Sequence, residues 1–291
     1  MGVAYYAALA INGVVEGLII GLAALAINLV FAVARFPNAA TGDLMTVGAY
    51  AGIAVQQAGS RNLWLQGLAA VGTGMALSVA LYIVIFRALR GRSMLSSLLA
   101  SIGLAILLRS LLTLFVGPDQ YVFRIPMARP WRPMGIPIQP NDLWLAGIAF
   151  AAVAASFIVL YLTPIGRQMR AVADSLTLAR TSGIRVDRVL VALWLMVGVV
   201  TAVAGMVLGI RTVVTPELGW NMLLPAFAAA VLGGVGSPVG AVVAAIVLGV
   251  AQELSTPFLG FTYKIALAFA VLVAILAVRP SGLFGRAERV R

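Results

Sequence analysis

The chain has 291 residues, of which 62% are apolar and 10% charged, and it carries a net charge of +11 without any His or Cys. Soluble domains are about 45–50% apolar and about 25% charged, so this composition excludes an ordinary soluble enzyme. The missing His and Cys exclude Ser-His and Cys-His nucleophilic pairs, His-ligated metal sites, iron–sulfur clusters and disulfides. Because the arginines stand at the ends of apolar runs, the charge indicates membrane topology and not nucleic-acid binding.

The apolar runs, taken in chain order, predict the membrane spans. A fully spanning helix needs about 20 apolar residues. The runs cover 7–34, 41–58, 63–86, 94–116, 143–163, 189–210, 222–254 and 261–278. They predict an all-α polytopic membrane protein with about eight or nine transmembrane helices, folded as a single domain over 1–291. The N-terminus shows no basic segment before a short apolar core, so we expect no removable signal peptide.

Two of these runs are interrupted by residues that free backbone groups inside or near the membrane, in 37–50 and in 233–238. Irregular backbone at that depth is tolerated only against protein or a water-filled cavity. Paired interrupted helices also point to the pathway of a transporter. We therefore expect two broken or re-entrant segments, with two ordinary interfacial turns as the alternative. The candidate pathway or gate residues are Asn12, Glu16, Asn38, Thr41, Gly42, Asp43, Gly233, Gly234, Gly236 and Ser237.

The polar segments between the runs predict how the chain is oriented. A stretch with six prolines fills 117–142, a charged segment fills 166–188, and a basic tail fills 279–291. With Arg35 and the arginines of 87–92, one face collects 13 of the 20 basic residues. Positive charge accumulates on the cytoplasmic side. We therefore expect an external 117–142 loop, a cytoplasmic 166–188 segment, a cytoplasmic C-terminal tail and an N-terminus outside.

Small residues recur at every fourth position in three runs. The stripes are Gly13, Gly17 and Gly21, with Asn28 on nearly the same face; Thr201, Gly205 and Gly209; and Gly236, Gly240 and Ala244. Such stripes let helix backbones approach closely where lipid supplies no hydrophobic drive. They predict packing faces within the subunit or towards a partner.

Three charged residues, Glu16, Arg109 and Glu253, lie within or at the margins of apolar runs. A charge in the membrane costs about 2.5–3.5 kcal/mol on insertion scales, so each should face the protein interior and be paired. We expect Arg109 to pair with Glu16 or Glu253, although Asn12 and Glu16, one helical turn apart, can also line a pathway. Asp43 opens the second run, where helix capping is the expected role and lining a gate the alternative.

Motifs for chemistry are missing from the sequence. The single lysine, Lys264, follows Phe261-Thr262-Tyr263, so no Gly-Lys-Ser/Thr phosphate loop exists. HExxH and GxSxG motifs are also missing, as is a chain of acidic or histidine residues for proton relay. We expect no catalytic residue, no metal site, no cofactor and no ATPase site, so that any ATP is hydrolysed by another polypeptide.

Four stretches resemble the branched-chain amino-acid family of ABC importer permeases, whose relatives include urea and amide permeases. Residues 38–50 are similar to the family's Asn-Phe-Ala-His-Gly-Glu…Gly-Ala-Tyr motif, and 98–119, 167–189 and 226–249 resemble further family segments. The resemblance implies a permease subunit in a bacterial inner membrane that passes a small polar solute such as an amino acid. It also implies a second homologous permease subunit, two cytoplasmic ATP-binding subunits and an external solute-binding protein. We further expect contact with membrane lipid and no binding of nucleic acid. A stand-alone channel or secondary carrier is the alternative.

The resemblance makes 166–188 the segment that couples to the ATPases. An arginine-rich loop with a short helix ended by Gly183 can dock in a groove of an ATPase, while a solvated loop that serves only topology is the alternative. The candidate coupling residues are Arg167, Arg170, Asp174, Gly183 and Asp187. The chain departs from the family pattern in three places. Thr41 and Asp43 replace His and Glu. Residues 176–179 differ from the Arg-Glu-Ala-Ala that is frequent in relatives, and Arg109 stands where relatives often carry an amide.

Overall fold

The structure is a computed structural model that describes residues 3–126, 129–131, 139–260, 263–278 and 282–284. Within these ranges the chain forms eleven helices and no β-strand beyond an isolated antiparallel bridge between Tyr121 and Val214. The helices are α1 (Val3–Ala34), α2 (Thr41–Gln57), α3 (Leu63–Leu81, continued by a π-helical turn Tyr82–Phe86), α4 (Met94–Val116), α5 (Pro140–Leu162), α6 (Pro164–Asp174), α7 (Leu176–Thr181), α8 (Val186–Arg211), α9 (Leu218–Gly233), α10 (Pro238–Leu259) and α11 (Lys264–Val278). The predicted all-α polytopic membrane fold is confirmed.

The number of membrane-crossing helices is lower than the number of apolar runs if only full-length helices are counted. Among the described residues, six helices are long and apolar enough to cross a membrane: α1, α3 with its π-helical turn, α4, α5, α8 and α10. Helices α2, α9 and α11 are apolar but have only 17, 16 and 15 residues. The predicted eight or nine spans are therefore approximate, because three of the runs form helices shorter than a bilayer requires.

The helices fall into a buried core and an exposed periphery. In α1 and α8, 78% and 67% of the most apolar stretch is buried, whereas the corresponding shares in α3, α4 and α5 are 22%, 22% and 28%. A helix that is hydrophobic all round is buried in the core or faces lipid. Helices α1 and α8 therefore form the protein interior, and α3, α4 and α5 present most of their apolar surface outward.

Close backbone contacts through glycine hold the core together. A Cβ atom on Gly13 would lie 2.6 Å from the Cα of Val250, and one on Gly17 would lie 2.6 Å from the Cα of Ile246, so α1 and α10 pack without side chains between them. Helix α8 likewise contacts the backbone of α2 at Gly205. Such approach supplies the van der Waals packing that drives helix association in lipid. The first two predicted small-residue stripes are confirmed as packing faces.

The third predicted stripe is a packing face only in part. Gly240 packs against the backbone of Gly233, as predicted. Gly236, however, precedes α10 and has a φ of 87°, and a Cβ atom added to it would have no neighbouring atom within 4 Å. The prediction for Gly236 was wrong because the residue forms a left-handed turn that only glycine adopts at low cost.

The polar segments also differ in detail from their predicted bounds. Helix α5 begins at Pro140, since proline suits the first helical position, so the preceding loop is shorter than 117–142. Residues 127–128 and 132–138 of that loop lie outside the described residues. The charged segment 166–188 is mostly helical and holds α6, α7 and the start of α8. Of the predicted 279–291 tail, only 282–284 are described.

Candidate functional site

The first break lies between α1 and α2, and its backbone is satisfied partly from within and partly from α4. The Asn38 carbonyl accepts a hydrogen bond from Thr41 Oγ1 at 2.8 Å, and Asn38 Oδ1 accepts one from the Ala40 N–H at 3.1 Å. The Ala39 N–H donates to Ser101 Oγ of α4 at 3.1 Å. Asn38, Thr41 and Ser101 are buried. Exposed backbone groups at membrane depth need such partners, so α4 helps to hold this break.

An ion pair joins the same two elements. Asp43, in the first turn of α2, has a fully buried side chain, and both Nε and Nη2 of Arg109 lie 3.2 Å from its Oδ1. Arg109 Cζ also lies 4.5 Å from the ring centroid of Trp220 on α9. Buried charges are tolerated when they are paired with good geometry, and a guanidinium gains further from an aromatic face. Asp43, Arg109 and Trp220 thus link α2, α4 and α9; we call them the first-break triad.

The triad corrects two predictions. Arg109 pairs with Asp43 and not with Glu16 or Glu253, because α4 packs beside the start of α2. The N-cap of α2 is Ala40, so Asp43 does not cap the helix, although its first-turn position suits the helix dipole. The described contacts instead place Asp43 in an ion pair with Arg109.

The other two intramembrane carboxylates have partners of their own. Glu16 Oε2 accepts a hydrogen bond from Arg211 Nη1 at 2.6 Å, and Arg211 Nε lies 3.8 Å from Asp142. Glu253 Oε1 pairs with Lys264 Nζ at 2.5 Å. The first pair joins the middle of α1 to the end of α8, and the second joins the last turns of α10 to the start of α11; the side chains of both pairs are partly exposed. The expectation that each intramembrane charge is paired is confirmed.

The second break, between α9 and α10, is held by a single amide. Asn28 of α1 is 1% exposed, and its Nδ2 donates to the carbonyls of Gly234 and Ser237, each at 3.3 Å. Its Oδ1 accepts from the Gly236 N–H at 2.5 Å. Ser237 Oγ then caps α10 by accepting from the Gly240 N–H at 3.2 Å. Sequence reasoning placed Asn28 on the glycine face of α1 but gave it no role in the break.

Residues 282–284 also satisfy the second break. The Leu283 N–H donates to the Leu232 carbonyl at 2.8 Å, and the Phe284 N–H donates to the Gly233 carbonyl at 3.3 Å. These carbonyls belong to the last turn of α9, whose backbone acceptors have no partner within the helix. Sequence reasoning missed this contact because it assigned the residues to a solvated basic tail.

Helix α9 carries a polar face that sequence reasoning also missed. Glu217, Trp220, Asn221 and Leu224 are exposed on one side of a helix whose other side is buried. Arg109 beside them is 21% exposed, and its Nη1 makes no hydrogen bond within the described part of the chain. Polar side chains on membrane helices face protein or water-filled cavities. The predicted run began at 222, which left the polar start of this helix in a loop.

The predicted coupling segment forms a corner between α6 and α7. Ser175 caps α7 by accepting from the Leu178 N–H at 3.3 Å, and Gly183 follows α7 with a φ of 77°. Arg170 donates to the Leu160 carbonyl and lies over the Tyr161 ring at 5.1 Å, so it is engaged inside the subunit. The exposed residues of the corner include Arg167, Asp174, Leu176 and Leu178, with Leu178 68% exposed.

The corner lies beside a cavity of about 700 Å³. Asp174 and Leu176 line one side of this cavity, and a stack of aromatic rings lines the other. In that stack, Phe86 lies 5.1 Å from Phe36 and 4.7 Å from Trp194, measured between ring centroids. The first break therefore begins, at Phe36, on the wall of a cavity that the corner also borders.

Hydrogen bonds and ion pairs sort the candidate pathway residues into three groups. Glu16 belongs to a cluster with Arg211 and Asp142, while Asn12, one turn earlier, makes no hydrogen bond among the residues described. The second group is the first break, with Asn38, Thr41, Gly42 and Asp43, of which Gly42 packs on the backbone of Gly219. The third is the second break, with Gly233, Gly234, Gly236 and Ser237 held by Asn28.

The chain is similar to known permeases along its whole length. Residues 9–276 match the family described as "Branched-chain amino acid transport system / permease component". The chain is 30% identical to the high-affinity branched-chain amino acid transport system permease protein LivH of Salmonella typhimurium, over 95% of this chain and 94% of that one. It is 28% identical to BraD of Pseudomonas aeruginosa, a permease protein of the same kind of system, over 96% and 95%.

More distant proteins share only part of the sequence or the fold. The ribose import permease protein RbsC of Escherichia coli is 29% identical over 50% of this chain and 46% of its own. The solved structure of PsaBC from Streptococcus pneumoniae in complex with Fab matches with a TM-score of 0.51 at 13% identity, over 93% of this chain and 91% of that chain. The family match spans residues 9–276, and the chain belongs to the branched-chain amino acid transport permease family.

Proposed function

We propose that this chain is the permease subunit of an ABC importer that passes an amino acid, of branched-chain or another type, through a bacterial inner membrane. The match to LivH over 95% of the chain carries the proposal. The partners are a second homologous permease subunit, two cytoplasmic ATP-binding subunits and an external solute-binding protein. The arginine-rich end of the bundle, with 166–188 and the C-terminus, faces the cytoplasm, in keeping with the positive-inside rule.

The pathway, in this proposal, runs along the polar face of α9 and past the first-break triad. Glu217, Trp220 and Asn221 are exposed there, and the two N–H groups on Arg109 Nη1 have no acceptor among the described residues. A zwitterionic solute needs polar partners when it leaves water, and a guanidinium suits a carboxylate. The second permease subunit, in this proposal, covers the exposed side of α9 and completes the pathway.

Coupling to the ATPases, in this proposal, takes place at the corner between α6 and α7. Leu176 and Leu178 are exposed apolar side chains on a short helix, a shape suited to a groove on a partner protein. Arg35, at the end of α1, donates to the carbonyl of Ala173 on α6. A displacement of the corner by the ATPase would therefore be transmitted to Arg35, which directly precedes the first break. Arg167 and Asp174 remain available for polar contacts with the ATPase, whereas Arg170 is engaged inside the subunit and Asp187, at the start of α8, pairs with Arg90.

Co-purification and reconstitution distinguish the proposed ABC importer from a stand-alone channel or carrier. The tagged permease, expressed with its neighbouring genes, is expected to retain two ATP-binding chains and a second permease. In liposomes, uptake of radiolabelled leucine should then require ATP inside the vesicle and the solute-binding protein. Uptake of leucine by this chain alone would contradict the importer and support the channel or carrier.

A pair of double variants tests the coupling corner. Leu176→Ser with Leu178→Ser removes its exposed apolar contacts, and we expect ATP hydrolysis by the reconstituted importer to stop responding to the solute-binding protein. Thr177→Ala with Thr181→Ala is the matched control, because both threonines are exposed on the same helix. Equal responses in the two double variants would remove the proposed role of the corner.

A single substitution tests the α9 face. Asn221→Leu replaces an exposed polar side chain on this face, so we expect slower leucine uptake at unchanged amounts of assembled importer. Asn12→Leu makes the same chemical change on α1, away from the α9 face, and should leave uptake near the wild-type rate. If Asn12→Leu slows uptake and Asn221→Leu does not, the pathway follows α1 instead.

A further inference from the structure

Five arginines surround an open groove where α3 ends and α8 begins. The groove has a volume of about 730 Å³, and its charged lining residues are Arg87, Arg90, Arg180, Arg185, Arg188 and Asp187. They come from three elements: the turn after α3, helix α7, and the start of α8 with the turn before it. The fold thus concentrates positive charge from separate parts of the chain in one concave place.

Little of this charge is neutralised inside the protein. Asp187 pairs with Arg90, which also donates to the Tyr82 hydroxyl at 3.4 Å. The other four guanidinium groups make no ion pair and no side-chain hydrogen bond within the described ranges, and all four residues are exposed. Arginine binds phosphate through a planar fork of N–H donors. The groove therefore offers several free forks to a ligand with phosphate oxygens.

The groove continues directly into a surface suited to lipid chains. Helix α3 exposes Thr73, Ala76, Ala80 and Val84 along one side, spaced three or four residues apart, and Arg87 follows Val84 by three residues. Val84 is 72% exposed, and only 22% of the apolar stretch of this helix is buried. Thr73, Ala76 and Ala80 lie on one α-helical face, and the exposed Val84 and Arg87 follow them in and just after the π-helical turn. An apolar stripe thus leads along a membrane-crossing helix to the mouth of the basic groove.

We propose that this groove binds the phosphate headgroup of an anionic phospholipid, whose acyl chains lie along the exposed face of α3. Basic pockets between the ends of transmembrane helices attract anionic headgroups, and here the pocket and the chain-binding stripe are continuous. Arg180 lies on the same short helix as the exposed Leu176 and Leu178 of the α6–α7 corner, so the lipid would bind next to the proposed ATPase docking site. By tying the end of α3 to the start of α8, the lipid would stabilise the base of the bundle.

Native mass spectrometry of the full chain in detergent tests this site with phosphatidylglycerol, phosphatidylethanolamine and inorganic phosphate as separate probes. We expect wild type to retain one phosphatidylglycerol more tightly than phosphatidylethanolamine. The triple variant Arg87→Gln, Arg185→Gln and Arg188→Gln should weaken phosphatidylglycerol binding by about tenfold or more, since each arginine near the surface contributes to attraction of anionic lipid. The control triple variant Arg61→Gln, Arg124→Gln and Arg129→Gln removes the same charge from exposed arginines outside the groove and should bind as wild type does.

The remaining outcomes each decide against the proposal. Equal binding of phosphatidylglycerol by the two triple variants would show that only net charge matters. Displacement of the lipid by millimolar inorganic phosphate would show that the groove is a free-phosphate site. Loss of ATPase association in the groove variant with unchanged lipid binding would assign the groove to the ATPase. The single variant Arg188→Gln, at an exposed position, repeats the test with a partial expected loss if the triple variant does not fold.

Discussion

The two breaks in the membrane helices are held by different chemistry. The first break is held by Arg109 and Ser101, which reach it from α4, a helix whose apolar stretch is only 22% buried. The second is held by the neutral amide of Asn28 on α1, whose apolar stretch is 78% buried, and by the backbone of 282–284. One break is therefore attached to the periphery and the other to the core.

From this difference we infer that the first break can move and that the second is fixed. Helix α4 packs on little besides α2, so it can shift without disturbing the glycine contacts between α1 and α10. A shift at the second break would instead separate the buried Asn28 side chain from the Gly236 N–H, whose hydrogen bond Asn28 Oδ1 accepts. Parts that move are drawn from the less buried regions of a protein. We expect the first break to open during transport while the second stays closed around Asn28.

The largest effect is expected from Arg109→Leu, which leaves Asp43 buried without its partner. Breaking a buried ion pair from one side costs about 3–5 kcal/mol, and the free energy of unfolding in detergent micelles should fall by that amount. Arg211→Leu is the control, since its partner Glu16 is 27% exposed and should lose less. In the double variant Asp43→Leu with Arg109→Leu, most of the loss should be recovered. No recovery there would show that Arg109 stabilises the fold through Trp220 and not through the carboxylate.

Asn28→Leu is expected to cost less, about 1–3 kcal/mol, because it leaves the neutral Gly236 N–H without an acceptor. It also removes the Nδ2 donor to the carbonyls of Ala230, Gly234 and Ser237, of which the last two keep backbone hydrogen bonds from the Ser237 and Ala241 N–H groups. Asn12→Leu, the same change earlier on α1 at a residue without a described hydrogen bond, should change the free energy of unfolding little. Thermal unfolding in micelles measures both. Similar losses in the two variants would mean that the second break does not depend on the amide.

Sequence reasoning found both breaks but not the side chains that hold them. The breaks show locally, as prolines and glycines inside apolar runs at 37–42 and 233–238. Arg109 and Asp43 are 66 residues apart, and Asn28 and Gly234 are 206 apart. Such partners depend on which helices pack together and at what register, and a helical period does not encode either. The stripe of Gly13 and Gly17 indicated a packing face on α1, but only the structure shows that α10 covers it.

A smaller effect is expected at the hydrogen bond between Ser101 and the Ala39 N–H. Ser101→Ala leaves this buried donor without an acceptor, which should lower the free energy of unfolding by about 1–2 kcal/mol. Ser156→Ala is the matched control, because Ser156 is also buried but donates only to the Ala152 carbonyl of its own helix. If α4 holds the first break, hydrogen exchange at Ala39 should rise in Ser101→Ala and stay unchanged in Ser156→Ala. Unchanged hydrogen exchange at Ala39 in both variants would show that α4 does not hold the first break.

The smallest effect separates backbone strain from side-chain support at the second break. Gly236→Ala meets no atom within 4 Å but must hold a φ of 87°, so it should cost about 1 kcal/mol through backbone strain alone. Gly72→Ala also adds its methyl group to open space, but inside α3, where alanine is the better helix former and should add about 0.5–1 kcal/mol of stability. The two variants should therefore move the midpoint of thermal unfolding in opposite directions. If Gly236→Ala is neutral, the turn tolerates other conformations, and the second break is then held by Asn28 and not by the intrinsic shape of its backbone.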